Sequence, residues 1–223
     1  MLPKVIILDF DGLILDTESS LREAWRAEYA RHGLSLDEHA YRELVGQVGA
    51  REALLAGLPG GAADPAAVLA RVHPRHRDTV QRMPAMPGVA AILARRGQVR
   101  LAVASSSPSS WVEPQLRRLG LWDALEVVVC RDMVTRPKPS PEVYLEALAR
   151  LGVAPSEAVA LEDSLVGVLA AVAAGIRCLA VPGPVTRGSA FPGAEAVLGS
   201  LAEADQLLCG SALAATAGGL SDQ

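Results

Sequence analysis

Short apolar runs recur along the chain, and each gives way to a turn and then to a stretch with helical spacing. The first run, Val5-Ile6-Ile7-Leu8, has no polar residue, as expected of a strand covered on both faces. Similar runs cover residues 99–104, 126–130, 158–161 and 176–181. Between them, helices are predicted from residue 89 to 96, from Pro108 to about Leu119, from Ser140-Pro141 to before Gly152, and from a Ser164 cap to Gly175. Strand and helix alternating at this spacing predict an α/β protein with a doubly wound parallel sheet, a Rossmann-like core. One more short strand and helix follow, and a small-residue tail after about residue 210 is expected to be disordered.

The stretch from 17 to 85 breaks the alternation. It shows helical spacing without a convincing strand, punctuated by Gly46, Gly49, Gly57, Gly60, Gly61 and Pro65. Its first helix is expected to be capped by Thr17 or Ser19 and stopped at Gly33. A short hairpin flap, residues 13–16, leads into it. The expected organisation is therefore a core of residues 1–16 and 86–223 with a helical cap of residues 17–85 inserted after the first strand.

Composition narrows the class. The chain has 223 residues, half of them hydrophobic, enough for a sizeable core. Net charge is −4 with no basic block, so no nucleic-acid or anionic membrane partner is expected. No run approaches a membrane span. Asp9 and Asp11 interrupt the N-terminal apolar run and no cleavage pattern follows, so no secretory leader and a cytoplasmic location are expected. Cys130, Cys178 and Cys209 read as buried reduced thiols. Oligomeric state is not legible.

The chemistry gathers at strand ends. Asp9 and Asp11 follow the first run, and Ser105-Ser106-Ser107 follow the second. Lys138 lies between Pro137 and Pro139, and Glu162-Asp163 follow the fourth run. Carboxyl ends of parallel strands share one edge, so these groups can meet although far apart in sequence. Together they offer carboxylate oxygens of the kind Mg²⁺ prefers, hydroxyl and amide donors for an oxyanion, and a cation. Phosphoryl transfer needs that set. Crowded carboxylates repel, so the cluster itself calls for a cation. Lys138 is one of only two lysines, against nineteen arginines. Each feature alone also reads as ordinary turn or helix-cap chemistry; their consistent order on successive strand ends argues for function.

The stretches Asp9-Phe10-Asp11-Gly12-Leu13-Ile14-Leu15-Asp16-Thr17-Glu18, Ala104-Ser105-Ser106-Ser107, Lys138-Pro139-Ser140-Pro141-Glu142-Val143-Tyr144 and Leu161-Glu162-Asp163-Ser164-Leu165-Val166-Gly167 resemble the four motifs of the haloacid dehalogenase-like hydrolase superfamily. The branch they resemble most carries a helical cap after the first motif and includes β-phosphoglucomutase and small sugar-phosphate or phosphoglycolate phosphatases. The resemblance implies that Asp9 is the nucleophile that takes up a phosphoryl group. Asp11 would serve as general acid and then base, with its backbone carbonyl on Mg²⁺. Ser105 would bind the phosphoryl group with Ser106 and Ser107 beside it, Lys138 would neutralise it, and Asp163 would ligate Mg²⁺ with Asp9. An acid at position 11 favours a phosphate ester over an organohalide. Pro137 and Glu142 replace a usual Gly and Asp without touching this chemistry.

The resemblance thus implies a Mg²⁺-dependent phosphatase of a small phosphate ester. A phosphosugar mutase is the alternative, but Leu21 stands where the mutase pattern has His. A mutase-like cap Arg gripping a distal phosphate would be Arg51, after Gly46. A phosphoacceptor signalling module, which also joins acids, Ser and Lys on a parallel sheet, is a third reading. Trp25 is expected to pack within the cap. His73 and His76, separated by Pro74 with no third ligand nearby, read as an exposed helix segment. Arg71, Arg75, Arg77 and Arg82 read as a solvated face.

Overall fold

A computed structural model describes residues 3–61 and 63–208. Cys209 and the tail expected to be disordered lie outside them. Six parallel strands form one sheet: β1 (Val5–Leu8), β2 (Arg100–Ala104), β3 (Val127–Val129), β4 (Ala158–Glu162), β5 (Arg177–Ala180) and β6 (Ala196–Val197). Their order is β3-β2-β1-β4-β5-β6. The chain winds outward from β1 in both directions, so the gap between β1 and β4 is the point where the winding reverses. This is the expected Rossmann-like α/β architecture.

Among the described residues, the strands are accompanied by helices α1 (Thr17–Arg31), α2 (Glu38–Leu44), α3 (Ala50–Ala56), α4 (Pro65–Val80), α5 (Val89–Leu93), α6 (Ser109–Arg118), α7 (Glu142–Leu151) and α8 (Leu165–Ala173). Residues 201–208 form a further helix. Among the described residues, no helix is long and apolar enough to cross a membrane.

The sheet is sandwiched. Ile6, Leu8, Phe10, Leu101 and Val103 face one apolar cluster with Ile92 and Leu116. Val5, Ile7, Ala102, Ala160 and Cys178 face the other with Tyr144 and Leu148. Alternate residues of β1 thus serve opposite clusters, as a strand buried on both faces requires. The helices α1–α4 close around a third cluster that includes Ala24, Trp25, Tyr29, Tyr41, Leu54 and Val72. Cys130 and Cys178 are buried free thiols, in line with the sequence.

Several boundaries differ from expectation. Asp16, rather than Thr17 or Ser19, caps α1: its side chain accepts from the Ser19 N–H. An acid accepts that bond as well as a hydroxyl does, and also suits the positive end of the helix. Residues 12–14 make a tight turn, with Asp11 and Leu15 joined by a single bridge rather than a two-stranded flap. Pro108 precedes α6 as its extended N-cap instead of lying in its first turn. Strand β4 runs on through Glu162.

Candidate active site

Register sets the site. Leu8 pairs with Val103 on one side and with Leu161 on the other. One step further, Asp9 lies beside Ala104 and Glu162; another step brings in Ser105 and Asp163. The Asp9 N–H donates to the Leu161 carbonyl at 3.0 Å, which fixes that step. Asp9, Ser105, Glu162 and Asp163 therefore share the edge where β1 and β4 diverge, and all four are buried.

Lys138 reaches the same point from the loop before α7. Its ammonium donates to Asp9 Oδ1 at 2.6 Å, to Glu162 Oε1 at 2.5 Å and to the Ala104 carbonyl at 2.9 Å. All three protons of the ammonium are used. Burial works against the charge, but the Asp9 and Glu162 carboxylates outweigh it and hold the amine above its ordinary range. Glu162 also accepts from the Tyr144 hydroxyl at 2.5 Å, and the Tyr144 ring lies 5.0 Å from the ammonium. The loop that carries Lys138 is pinned by Glu142, which accepts from the Thr135 and Arg136 N–H groups. The Lys138–Pro139 peptide is cis.

Asp9, Glu162 and Asp163 each offer an oxygen within 4.8 Å of the others. Burial pushes the Asp9 carboxyl well above the usual carboxylate range; Lys138 pulls it down, and Glu162 and Asp11 push it up. Asp163 rises for the same leading reason, with Asp9 and Glu162 adding to it. One ammonium does not offset three buried acids, so the donor set suits a hard divalent cation. Two glycines make room. A Cβ on Gly12 would lie 1.9 Å from Asp163 Oδ2, and one on Gly167 would lie 2.0 Å from Glu162 Oε2.

The Asp11 carboxylate is turned elsewhere. Its Oδ2 accepts from Ser107 Oγ at 2.6 Å and its Oδ1 from the Trp111 indole N–H at 3.0 Å. Ser105 Oγ accepts from the Ser107 N–H at 3.0 Å, which leaves the Ser105 hydroxyl proton available to another acceptor. The hydroxyls of Ser106 and Thr17 are buried without a hydrogen-bond partner.

A cavity of about 770 Å³ opens over this edge. Asp9, Asp11, Lys138, Asp163, Ser106 and Ser107 line it from the sheet side. Helices α1–α4 and their loops contribute Thr17, Glu18, Leu21, Trp25, Tyr41, Gly46, Arg51, His73, His76 and Arg77. Ser105 lies just beneath, fully buried. Arg51 is at the wall, but its guanidinium pairs with Glu52 and is largely exposed. Burial pushes the Glu18 carboxyl up to about 8, with Asp11 and Asp16 adding to it.

The sequence reading of residues 71–82 needs correction at His76, whereas His73, Arg71, Arg75, Arg77 and Arg82 are exposed as expected. His76 is half-buried, stacks on Trp111 and lies 3.0 Å from Ser20 Oγ through Nδ1. It falls on the four-residue stripe Val68, Val72, Val80 that faces inward. Arg71 is bound to buried Glu28, and Arg77 lines the cavity. Sequence reasoning also missed Trp111, and gave Tyr144 no role beyond its place in the third motif. The burial of Tyr144 could have been found, because it sits in the apolar stripe Val143, Ala147, Leu148, Leu151; its hydroxyl contact could not.

Comparison with known proteins agrees with the geometry. The sequence profile of the haloacid dehalogenase-like hydrolases matches residues 6–181. Protein CbbY of Cereibacter sphaeroides is 37% identical over 216 residues, covering 90% of this chain and 93% of the relative. Fructose-1-phosphate phosphatase YqaB of Escherichia coli is 36% identical over 182 residues, covering 79% and 95%. Among solved structures, CbbY from Rhodobacter sphaeroides in complex with xylulose bisphosphate superposes with a TM-score of 0.73 at 35% identity, over 90% of this chain and 96% of that one. A β-phosphoglucomutase-like protein from Thermotoga maritima gives 0.75 at 31%, over 93% and 99%.

Proposed function

This chain belongs to the haloacid dehalogenase-like hydrolase family, and from that premise we propose that it hydrolyses a small phosphorylated carbohydrate by way of a phosphoryl group carried on Asp9. That it is a phosphoric monoester hydrolase follows from its family and its named phosphatase relatives. The observation that carries the covalent reading is the Asp9 carboxylate, held by Lys138 at 2.6 Å on the floor of the cavity.

Asp9 attacks phosphorus, forming an O–P bond as the ester oxygen departs. Asp11 gives that oxygen its proton. A water then attacks the phosphoryl group, its proton passes to Asp11, and phosphate leaves with Asp9 restored. Lys138 opposes the rise that burial gives the Asp9 carboxyl and, with its three protons engaged, offers the phosphoryl oxygens its charge rather than a hydrogen bond. The hydroxyls of Ser105 and Ser106 donate to them; a buried hydroxyl without a partner, such as that of Ser106, is costly unless a ligand completes it. Asp9, Asp163 and the Asp11 carbonyl would hold Mg²⁺, because Glu162 is committed to Lys138 and Tyr144. Bound there, the ion would shield the negative charge of the transferring group.

Helices α1–α4 act as the cap and hold the rest of the substrate. Glu18, Thr17 and Tyr41 suit the hydroxyls of a sugar or polyol. Gly46 brings the loop after α2 close to Ser164: a Cβ there would sit 3.5 Å from Ser164 Oγ. Arg51 would meet a second anionic group once freed from Glu52. Leu21 on the wall can carry no proton, which favours water over a sugar hydroxyl as acceptor, hence phosphatase over mutase.

A panel of hexose, pentose and hexitol phosphates, with Mg²⁺ and with EDTA, tests this. Free phosphate should be the sole phosphorylated product, and EDTA should abolish it. Phosphate release from none of the panel, or isomerised sugar phosphate as the main product, would overturn the reading.

A further inference from the structure

The proton carrier Asp11 is held from both sides. Ser107 Oγ donates to Oδ2 and the Trp111 indole N–H donates to Oδ1. Both donors come from the segment between β2 and the first turn of α6, so they form one rigid clasp. The opposite contact of Trp111 belongs to α4. His76 stacks on it with ring centroids 5.2 Å apart and planes inclined by 29°. Ser20 of α1 fastens His76 in turn: its Oγ donates to the His76 carbonyl at 3.3 Å and lies 3.0 Å from Nδ1. Asp11, Ser107, Trp111 and His76 all line the cavity.

We propose that Trp111 is a positioning residue: its indole N–H sets the orientation of the Asp11 carboxyl, and its stack with His76 ties that orientation to the seating of α4. The inference rests on Asp11 being the proton carrier described above. An indole can only donate, so Oδ1 always meets it as an acceptor. The proton that moves is therefore carried on Oδ2, beside a Ser107 hydroxyl that can donate or accept. Without the indole N–H, the carboxyl can turn about its own bond and the proton loses its fixed direction. Without the ring stack, α4 loses its contact with Trp111 and meets α6 at the far end, where Arg118 donates to the Val80 carbonyl.

The leaving group separates positioning from structure. An alkoxide needs a proton as it departs; p-nitrophenolate does not. Turnover is measured with a hexitol phosphate and with p-nitrophenyl phosphate for the intact enzyme and for Trp111→Phe, which keeps a ring and removes the N–H. The expected result is a loss of about 10- to 100-fold in kcat/KM on the alkyl ester, a fraction of a general acid's usual contribution; that ratio reports the departure of the leaving group and not the later attack of water, which both esters share. In kcat/KM the aryl ester should change little. His76→Ala should shift both substrates in the same sense as Trp111→Phe. Equal losses in kcat/KM on the two esters, or no loss on the alkyl ester, would overturn the proposal. Should Trp111→Phe not fold, replacement of Trp111 by 3-benzothienylalanine, which keeps the bicyclic ring and lacks only the N–H, must show the same selective loss. Asp11→Asn distinguishes the underlying reading: full activity on the alkyl ester in that variant would remove Asp11 as proton carrier, whatever Trp111 does.

Discussion

A β-carbon on Gly12 would lie 1.9 Å from Oδ2 of Asp163. The backbone there has φ +83°, a region that costs a residue with a side chain about 1–2 kcal/mol. The clash adds to the strain and falls on the carboxylate proposed to hold the cation. Gly12→Ala should therefore fold with a lowered melting temperature and lose most of its turnover. It should also lack the rise in melting temperature that Mg²⁺ is expected to give the intact enzyme. Thermal scans with and without the ion check all but turnover, which a phosphate-release assay checks.

Glu162 serves the proposed chemistry chiefly by holding Lys138. It is fully buried, and it receives Lys138 and the Tyr144 hydroxyl on the same oxygen. Removing one partner of a buried ion pair typically costs about 3–5 kcal/mol. Glu162→Ala should approach that figure in urea unfolding, whereas Tyr144→Phe should cost about 1–2 kcal/mol.

Metal binding should depend on pH with a definite sign. Burial raises the Asp9 and Asp163 carboxyl groups, so the native chain holds protons that the unfolded chain has released. Without a cation, stability then falls as pH climbs above the ordinary carboxylate range. A cation displaces those protons, so its stabilisation grows with pH. The melting-temperature gain from excess Mg²⁺ should be larger at about pH 8 than at about pH 5. A gain that shrinks with rising pH would contradict the assignment.

His76 should act on the acid side. Burial lowers its imidazole from 6.5 to about 4, against the pull of Asp11. The unfolded chain takes up a proton that the native ring refuses, so stability falls as pH drops from 6.5 toward 4, by at most roughly 3 kcal/mol. His76→Phe should flatten that part of the profile. Urea midpoints at neutral and mildly acid pH measure it.

What the sequence disclosed follows from one geometric rule. Asp9, Lys138 and Asp163 were legible because parallel strands end at a common edge, so order along the chain converts into proximity in space. The α4 side chains were less so. His76 was read as exposed although it sits four residues from both Val72 and Val80 on the inward stripe; Pro74 and the neighbouring arginines masked that period. The contacts of Asp11 with Ser107 and Trp111 depend on which way a carboxyl turns, and no spacing in the chain encodes that. The same holds for Ser105, whose hydroxyl accepts a backbone N–H while its proton stays available.

The central claim is the covalent role of Asp9. Enzyme mixed with substrate and quenched in acid within the first turnover should yield a peptide spanning residues 5–12 heavier by one phosphoryl group. That mark should be lost on treatment with hydroxylamine, as an acyl phosphate is, and should be absent from Asp9→Asn. Phosphate released at full rate by Asp9→Asn, or a phosphoryl group found on any other residue, would contradict the account.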